Sequence, residues 1–240
     1  MVPTEIAVSL RWVILIALCA LLGVLVIVRV RGRDAAPQPQ SAESAGVTVD
    51  KQPVDFAKRT FDPGNPPAGM PPFAPAEEAV CDSNFMSNVS VGGDAEKMDA
   101  THEIVTITKV AVTLRLKITI WVPNDASQHV IDHEQGHRQI SEFYYRGADK
   151  LASQIASTYM GKKEAISGPD LDAALNAWLQ QEGNEIADEY GRELNPEPTQ
   201  VHYDLITNYG RNGVAAPDAA AQALKDVTVS PDSPPANAGD

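Results

Sequence analysis

Between Val110 and Val122 every second residue is apolar (Val110, Val112, Leu114, Leu116, Ile118, Ile120 and Val122). Ala111, Thr113, Arg115, Lys117 and Thr119 fill positions between them. Successive side chains of a β-strand point to opposite faces, so this run specifies a strand with one buried face and one wet face. Ile104, Val105 and Ile107 extend the same strand or make a partner to it. Pro123 ends it, and Asn124, Asp125 or Ser127 can cap a following helix. Helical spacing then runs to about Met160, with His133, His137, Ile140, Tyr144, Ala148 and Leu151 on one stripe. Gly161 and Gly168-Pro169 close that segment. A second helix carries Leu171, Leu175, Trp178, Leu179, Ile186, Tyr190 and Leu194 until Pro196 and Pro198 stop it. A short last helix, Thr199 to Asn208, ends at Gly210 in the place of a helix terminator. A strand followed by helices predicts an α+β domain.

The flanks are poorer folding material. Residues 34–80 hold nine of the 18 prolines and read as an extended tether, with Phe56, Phe61 and Phe73 able to dock on the domain. Residues 211–240 are mostly Ala, Pro, Asp and Asn and read as a disordered tail. The folded unit is thus expected over residues 81–210. The balance of 19 Lys plus Arg against 32 Asp plus Glu, a net charge of −13, excludes nucleic acid as a partner, because phosphate binding needs clustered cations. Two cysteines, Cys19 and Cys81, cannot build a disulfide framework or a Cys-rich zinc finger.

Residues 1–33 predict a membrane anchor. Trp12 to Val28 is uncharged throughout and, as a helix, spans about 25 Å; the flank from Ile6 adds length, giving a membrane segment over residues 6–30. Arg29-Val30-Arg31-Gly32-Arg33 follows in place of a small-residue cleavage site, which favours an uncleaved single-pass transmembrane helix over a signal peptide. Arg29, Arg31 and Arg33 outnumber Arg11 and the terminal amine, and by that rule alone the rest of the chain faces the cytoplasm.

The chemistry sits in His133-Glu134-Gln135-Gly136-His137. Histidines at i and i+4 project from one face of a helix, so two imidazoles converge on a zinc ion with little backbone cost. The glutamate after the first histidine can lean over the metal and accept a proton from water. The plainer alternative is two polar histidines on a helix face with Glu134 solvated. The complete motif on a helix that follows an amphipathic strand favours metal. In such a site the strand 110–122 would offer an edge to extended substrate.

The stretch from Val110 to Gly210 resembles a bacterial family of predicted secreted zinc-dependent proteases. That family has a strand, a His-Glu-x-x-His helix, a second helix, and a terminal Tyr-Asp-x-x-Thr-x-His-Gly motif preceded by Gln. The corresponding run here is Gln200-Val201-His202-Tyr203-Asp204-Leu205-Ile206-Thr207-Asn208-Tyr209-Gly210. The resemblance covers roughly 100 of the 240 residues, and Tyr209 stands where the family usually has histidine. It implies a zincin-like fold, with a small antiparallel sheet packed on the His-Glu-x-x-His helix and an antiparallel second helix. It also implies a bound Zn2+ and an extracytoplasmic domain, against the arginine rule. If the missing histidine is a ligand in relatives, this chain must use another group.

An antiparallel return of the second helix brings residues near 193 opposite His137, which leaves Asp204, His202, Glu189 and Glu193 as third-ligand candidates. Asp204 leads, because it matches the motif and shares a helix face with Gln200 and Thr207; His202 is next and the better intrinsic zinc donor. Tyr203 can donate a hydrogen bond to a developing oxyanion or simply pack. His129, His102 and Glu185 rank lower. The expectation is a membrane-anchored zinc metallopeptidase acting on peptide or protein substrates, with His133, His137 and Asp204 as ligands and Glu134 as general base. The rival expectation is a non-catalytic binding or assembly module on a zincin scaffold, with a structural or lost metal.

Overall fold

A computed structural model describes residues 27–30, 46–72 and 77–229 of the chain. It is α+β, and the described residues divide between two compact units. The single domain expected over residues 81–210 is instead shared between them, because two long strands, β4 (Val80–Lys97) and β5 (His102–Pro123), supply residues to both.

The first unit comprises Asn88–Val112, Ala156–Asp188 and the described residues up to Val47. A turn joins β4 to β5, where the Thr101 N–H donates to Asp99 Oδ1 at 2.7 Å and His102 Nδ1 lies 2.9 Å from the same oxygen. Strand β1 (Ile27–Val30) runs parallel to Gly92–Ala95 of β4. Strand β6 (Lys163–Ser167) runs antiparallel to His102–Thr106 of β5. Val89, Val91, Val105, Ile107, Val110 and Val112 are buried, as are Leu175, Leu179 and Ile186 of helix α3 (Leu171–Glu193). Lys162 closes on both oxygens of the buried Glu182 at 2.7 Å.

The second unit comprises Thr48–Ser87, Thr113–Ile155 and the residues from Glu189 onward, and it holds every residue of the His-Glu-x-x-His and Tyr-Asp motifs. Within it Leu114, Leu116, Ile118, Ile120 and Val122 of β5 are buried, as their alternation requires, while Arg115 and Lys117 are exposed. Strand β2 (Gly46–Lys51) neighbours β5, and β3 (Asp55–Phe61) pairs with it in parallel, Asp55 opposite Lys117 and Phe61 opposite Pro123. Here the sequence expectation is corrected: residues 46–51 and 55–61 are strands rather than tether, and β3 occupies one edge of β5 over 117–123. β3 escaped notice because only Phe61 of its seven residues is buried, so no hydrophobic period marks it.

The long helix expected to Met160 is two helices, α1 (Gln128–Arg146) and α2 (Ala148–Tyr159), parted at Gly147. Helix α4 (Glu197–Thr207) follows Pro196. Helix α5 (Ala216–Val229) packs on α1 and α4. Its buried Ala216, Ala219, Ala220, Ala223 and Leu224 form one cluster with Ile140 and Tyr203. The disordered-tail expectation therefore fails for residues 216–229; the rest of that segment after 229 lies outside the described residues. Small alanines bury little apolar surface each, but they let a helix come close.

The expected anchor lies almost wholly outside the described residues. Of it only Ile27–Val30 is described, and these residues form β1 and not helix. No helix among the described residues is long and apolar enough to cross a membrane.

Candidate metal centre

Ser127 caps α1, its hydroxyl accepting from the Val130 N–H at 3.3 Å. From that fixed start the helical phase turns His133 and Glu134 inward, where they are 6% and 3% exposed, and brings His137 alongside one turn later. Helix α4 approaches this face with Gln200, Tyr203, Asp204 and Thr207. The approach depends on Gly136, since a Cβ there would overlap the Tyr203 hydroxyl. Gly136→Ala is accordingly expected to destabilise the fold by about 2–3 kcal/mol, as overpacking does. Gly191→Ala, at a helical glycine with open space around it, should instead be neutral or stabilise slightly. Denaturant midpoints of the two variants check this.

Three ligand atoms converge where the helices meet. His133 Nε2 lies 3.2 Å from His137 Nε2, His137 Nε2 lies 3.0 Å from Asp204 Oδ1, and His133 Nε2 lies 3.4 Å from the same oxygen. Ligands held tetrahedrally at about 2.0–2.1 Å from an ion sit about 3.3 Å apart, so the triangle has the size of one face of a tetrahedral metal site. Asp204 Oδ1 is buried against the two imidazole nitrogens, and His133 Nδ1 is without a hydrogen-bond partner. A buried carboxylate oxygen facing two imidazole nitrogens is a donor set that suits a shared cation. Among the described residues His133, His137 and Asp204 form the one group of three metal-capable side chains.

The surroundings fix each ring. Gln200 Nε2 donates to the His137 carbonyl at 3.2 Å and to Ser141 Oγ at 3.0 Å, which orients its amide. Its Oε1 then faces His137 Nδ1 at 2.6 Å and can only accept. His137 thus carries its neutral-form proton on Nδ1 and turns the Nε2 lone pair to the site, the tautomer a metal needs. Gln200→Leu should cost about 10–100-fold in metal affinity with little loss of stability, measured by competition with a chelator. His133 is held differently: the Tyr203 ring stacks on it at 5.1 Å and 15°, and Gly210 lies close to its ring. A Cβ on Gly210, whose φ is +71°, would come within 2.9 Å of His133 Cγ.

The charges bear on the chemistry. Burial pushes Glu134 up to about 7; nearby His137 pulls the other way, and Glu77 and Asp204 add to the rise. Burial alone would lower His137, but contact with Asp204 outweighs it and raises the imidazole to about 9. Burial likewise raises Asp204, and the two histidines more than offset it, holding the carboxyl below its usual range. Cys81, whose backbone N–H serves Glu134, has its thiol raised by burial, which leaves it no nucleophile at neutral pH. A small cavity of about 30 Å³ adjoins His133 and Glu134 and is also bounded by Glu77, Tyr209 and Arg211. That is space enough for a water molecule.

Comparison of the chain with protein-family models, with curated proteins and with solved structures finds no match.

The other sequence candidates lie elsewhere. His202 points away from the trio to Asp226 at 2.9 Å, because it stands two positions before Asp204 on α4 and so nearly opposite it around the helix. His102 pairs with Asp99, Glu185 lies 3.8 Å from Lys162, and His129 is exposed; Glu189 and Glu193 are no part of the metal-capable group. The Tyr203 hydroxyl is fully buried and donates to the His133 carbonyl at 2.9 Å, so of its two expected roles packing is the one described. Sequence reasoning missed Gln200 as the orienting group of His137 and Arg211 as a wall of the cavity. The first was signalled by its i, i+4 spacing to Asp204; the second had no signal.

Proposed function

We propose that the chain is a zinc-dependent metallopeptidase of the zincin kind, held at a membrane by its N-terminal apolar segment. The triangle of His133, His137 and Asp204 carries this reading, since its edges match those of a tetrahedral site and these three residues would hold the ion. Two imidazoles and one carboxylate suit zinc better than the hard cations, which prefer all-oxygen sites. Zinc held there supplies a Lewis acid that polarises a carbonyl and acidifies water.

The chain's own groups do the rest. Glu134, buried one position after His133, is placed to take a proton from water as the water oxygen attacks the peptide carbonyl carbon. It then gives that proton to the amine as the carbon–nitrogen bond breaks. Gln200 keeps His137 in the ligating tautomer, and Tyr203 keeps both imidazoles in place by ring contact at 5.1 and 4.8 Å. The test is release of new amino termini from an unfolded protein by the zinc-loaded chain. Release that a chelator stops and Glu134→Gln lacks supports the reading. Zinc bound at one per chain with no hydrolysis of any peptide returns the site to a structural role.

A further inference from the structure

Tyr209 follows the Tyr-Asp helix, and its backbone is unusual. Asn208, Tyr209 and Gly210 have φ of 49°, 55° and 71°, three left-handed residues in succession. Asparagine and glycine take that conformation readily; a bulky aromatic residue does so only where its surroundings compel it, and such outliers gather at functional sites. The compulsion is visible on both sides. The Tyr209 N–H donates to the Asp204 carbonyl at 2.8 Å, and Asn212 ties the turn back to α4 through Nδ2 to the Ile206 carbonyl at 2.7 Å. Gly210 lies against the His133 ring, where no other residue fits. The turn is therefore held to two of the three metal-capable residues, by Tyr209 to Asp204 and by Gly210 to His133. Tyr209, 38% exposed, is one of the residues lining the same small cavity as His133 and Glu134.

From this we infer that Tyr209 is a catalytic residue, whose hydroxyl donates a hydrogen bond to the substrate carbonyl oxygen as charge develops there. This rests on the peptidase reading above. As the water oxygen bonds to carbon, the carbonyl π pair moves onto oxygen, and a donor placed there lowers the barrier without any proton changing owner. Tyr203 cannot serve, because its hydroxyl is committed to the His133 carbonyl.

The experiment uses the full zinc-loaded chain and a peptide phosphonate, whose tetrahedral P–O⁻ stands in for the developing oxyanion. Tyr209→Phe should weaken phosphonate binding about 100-fold and lower kcat to a similar degree, with KM for the parent peptide and zinc stoichiometry unchanged. Tyr209→Gly, which relieves the left-handed strain, should be no less stable than the parent and yet share the loss. Equal phosphonate affinity in Tyr209→Phe and the parent, or no phosphonate binding by the parent, overturns the assignment. The two readings separate cleanly. A phosphonate defect without hydrolysis by the parent sinks the peptidase and with it the catalytic role, leaving Tyr209 as a donor to a bound anion only. Hydrolysis untouched by Tyr209→Phe sinks Tyr209 and keeps the peptidase.

Discussion

Glu134→Gln is expected to remove about 10⁴-fold or more of the hydrolytic rate and, above pH 7, to make the metal-free chain more stable. The two effects share one cause. The carboxyl is 3% exposed and its pKa is pushed up to about 7 from an ordinary 4.5, chiefly by burial. The folded chain therefore binds this proton more tightly than the unfolded chain does. Stability from such a group is greatest below pH 4.5 and declines as the pH rises toward 7, where the buried group is forced to ionise. The difference of roughly 2.5 pH units corresponds to on the order of 3 kcal/mol at pH 8, and glutamine, a neutral isostere, escapes it. Removing a general base costs about 10²–10⁴ in rate, and under the proposed function this one would also position the water. Unfolding midpoints in a chelator at pH 5 and pH 8 decide the matter. The stabilisation should appear at pH 8 and nearly vanish at pH 5. A variant as stable as the parent at both pH values would mean that Glu134 is not strained by its burial.

What could be read from the sequence follows from how each element declares itself. β5 was legible because its alternation is strict and its inward residues are large. The His-Glu-x-x-His pair was legible because its spacing is that of the α-helix itself. Asp204 was separable from His202 by helical phase, since residues 200, 204 and 207 share a face that residue 202 does not. β3 is held by backbone pairing to Lys117–Pro123 and buries one side chain, so it left no hydrophobic trace among its flanking prolines. Helix α5 left a trace that composition hid. Ala216, Ala219, Ala220, Ala223 and Leu224 stand at i, i+3, i+4, i+7 and i+8, the spacing of a buried helical face, yet alanine-rich sequence resembles a solvated tail. The left-handed turn at 208–210 was beyond the sequence, because tyrosine is a residue that argues against such a backbone.

Metal binding should displace a proton, and its strength should climb steeply with pH. In the metal-free chain burial opposes the charge on His137, but Asp204 wins and holds the imidazole protonated up to about pH 9. An ion entering the site competes for the same Nε2 lone pair, so below pH 9 each ion bound releases that proton. Affinity should therefore rise about tenfold per pH unit between 7 and 9, a slope that reports a single displaced proton. The metal-free stability runs the other way: the contribution of the raised His137 is complete below pH 6.5 and is lost as the pH climbs through 9. With free zinc at about a thousand times Kd, binding adds about 4 kcal/mol to the folded state, and removing the ion with a chelator should return the unfolding midpoint by that amount. His137→Ala removes both the ligand and the proton, and should lose stoichiometric binding altogether. Asp204→Asn is the sharper probe. With the carboxylate gone, burial lowers His137 unopposed, so the released proton near pH 7.5 should fall toward zero while affinity drops more than about 100-fold. Binding heats in two buffers of different ionisation enthalpy count the proton directly. A parent chain that binds one zinc with no proton released at pH 7.5 would show that His137 is neutral beside Asp204. The close contact between them would then be metal-site geometry without an ion pair.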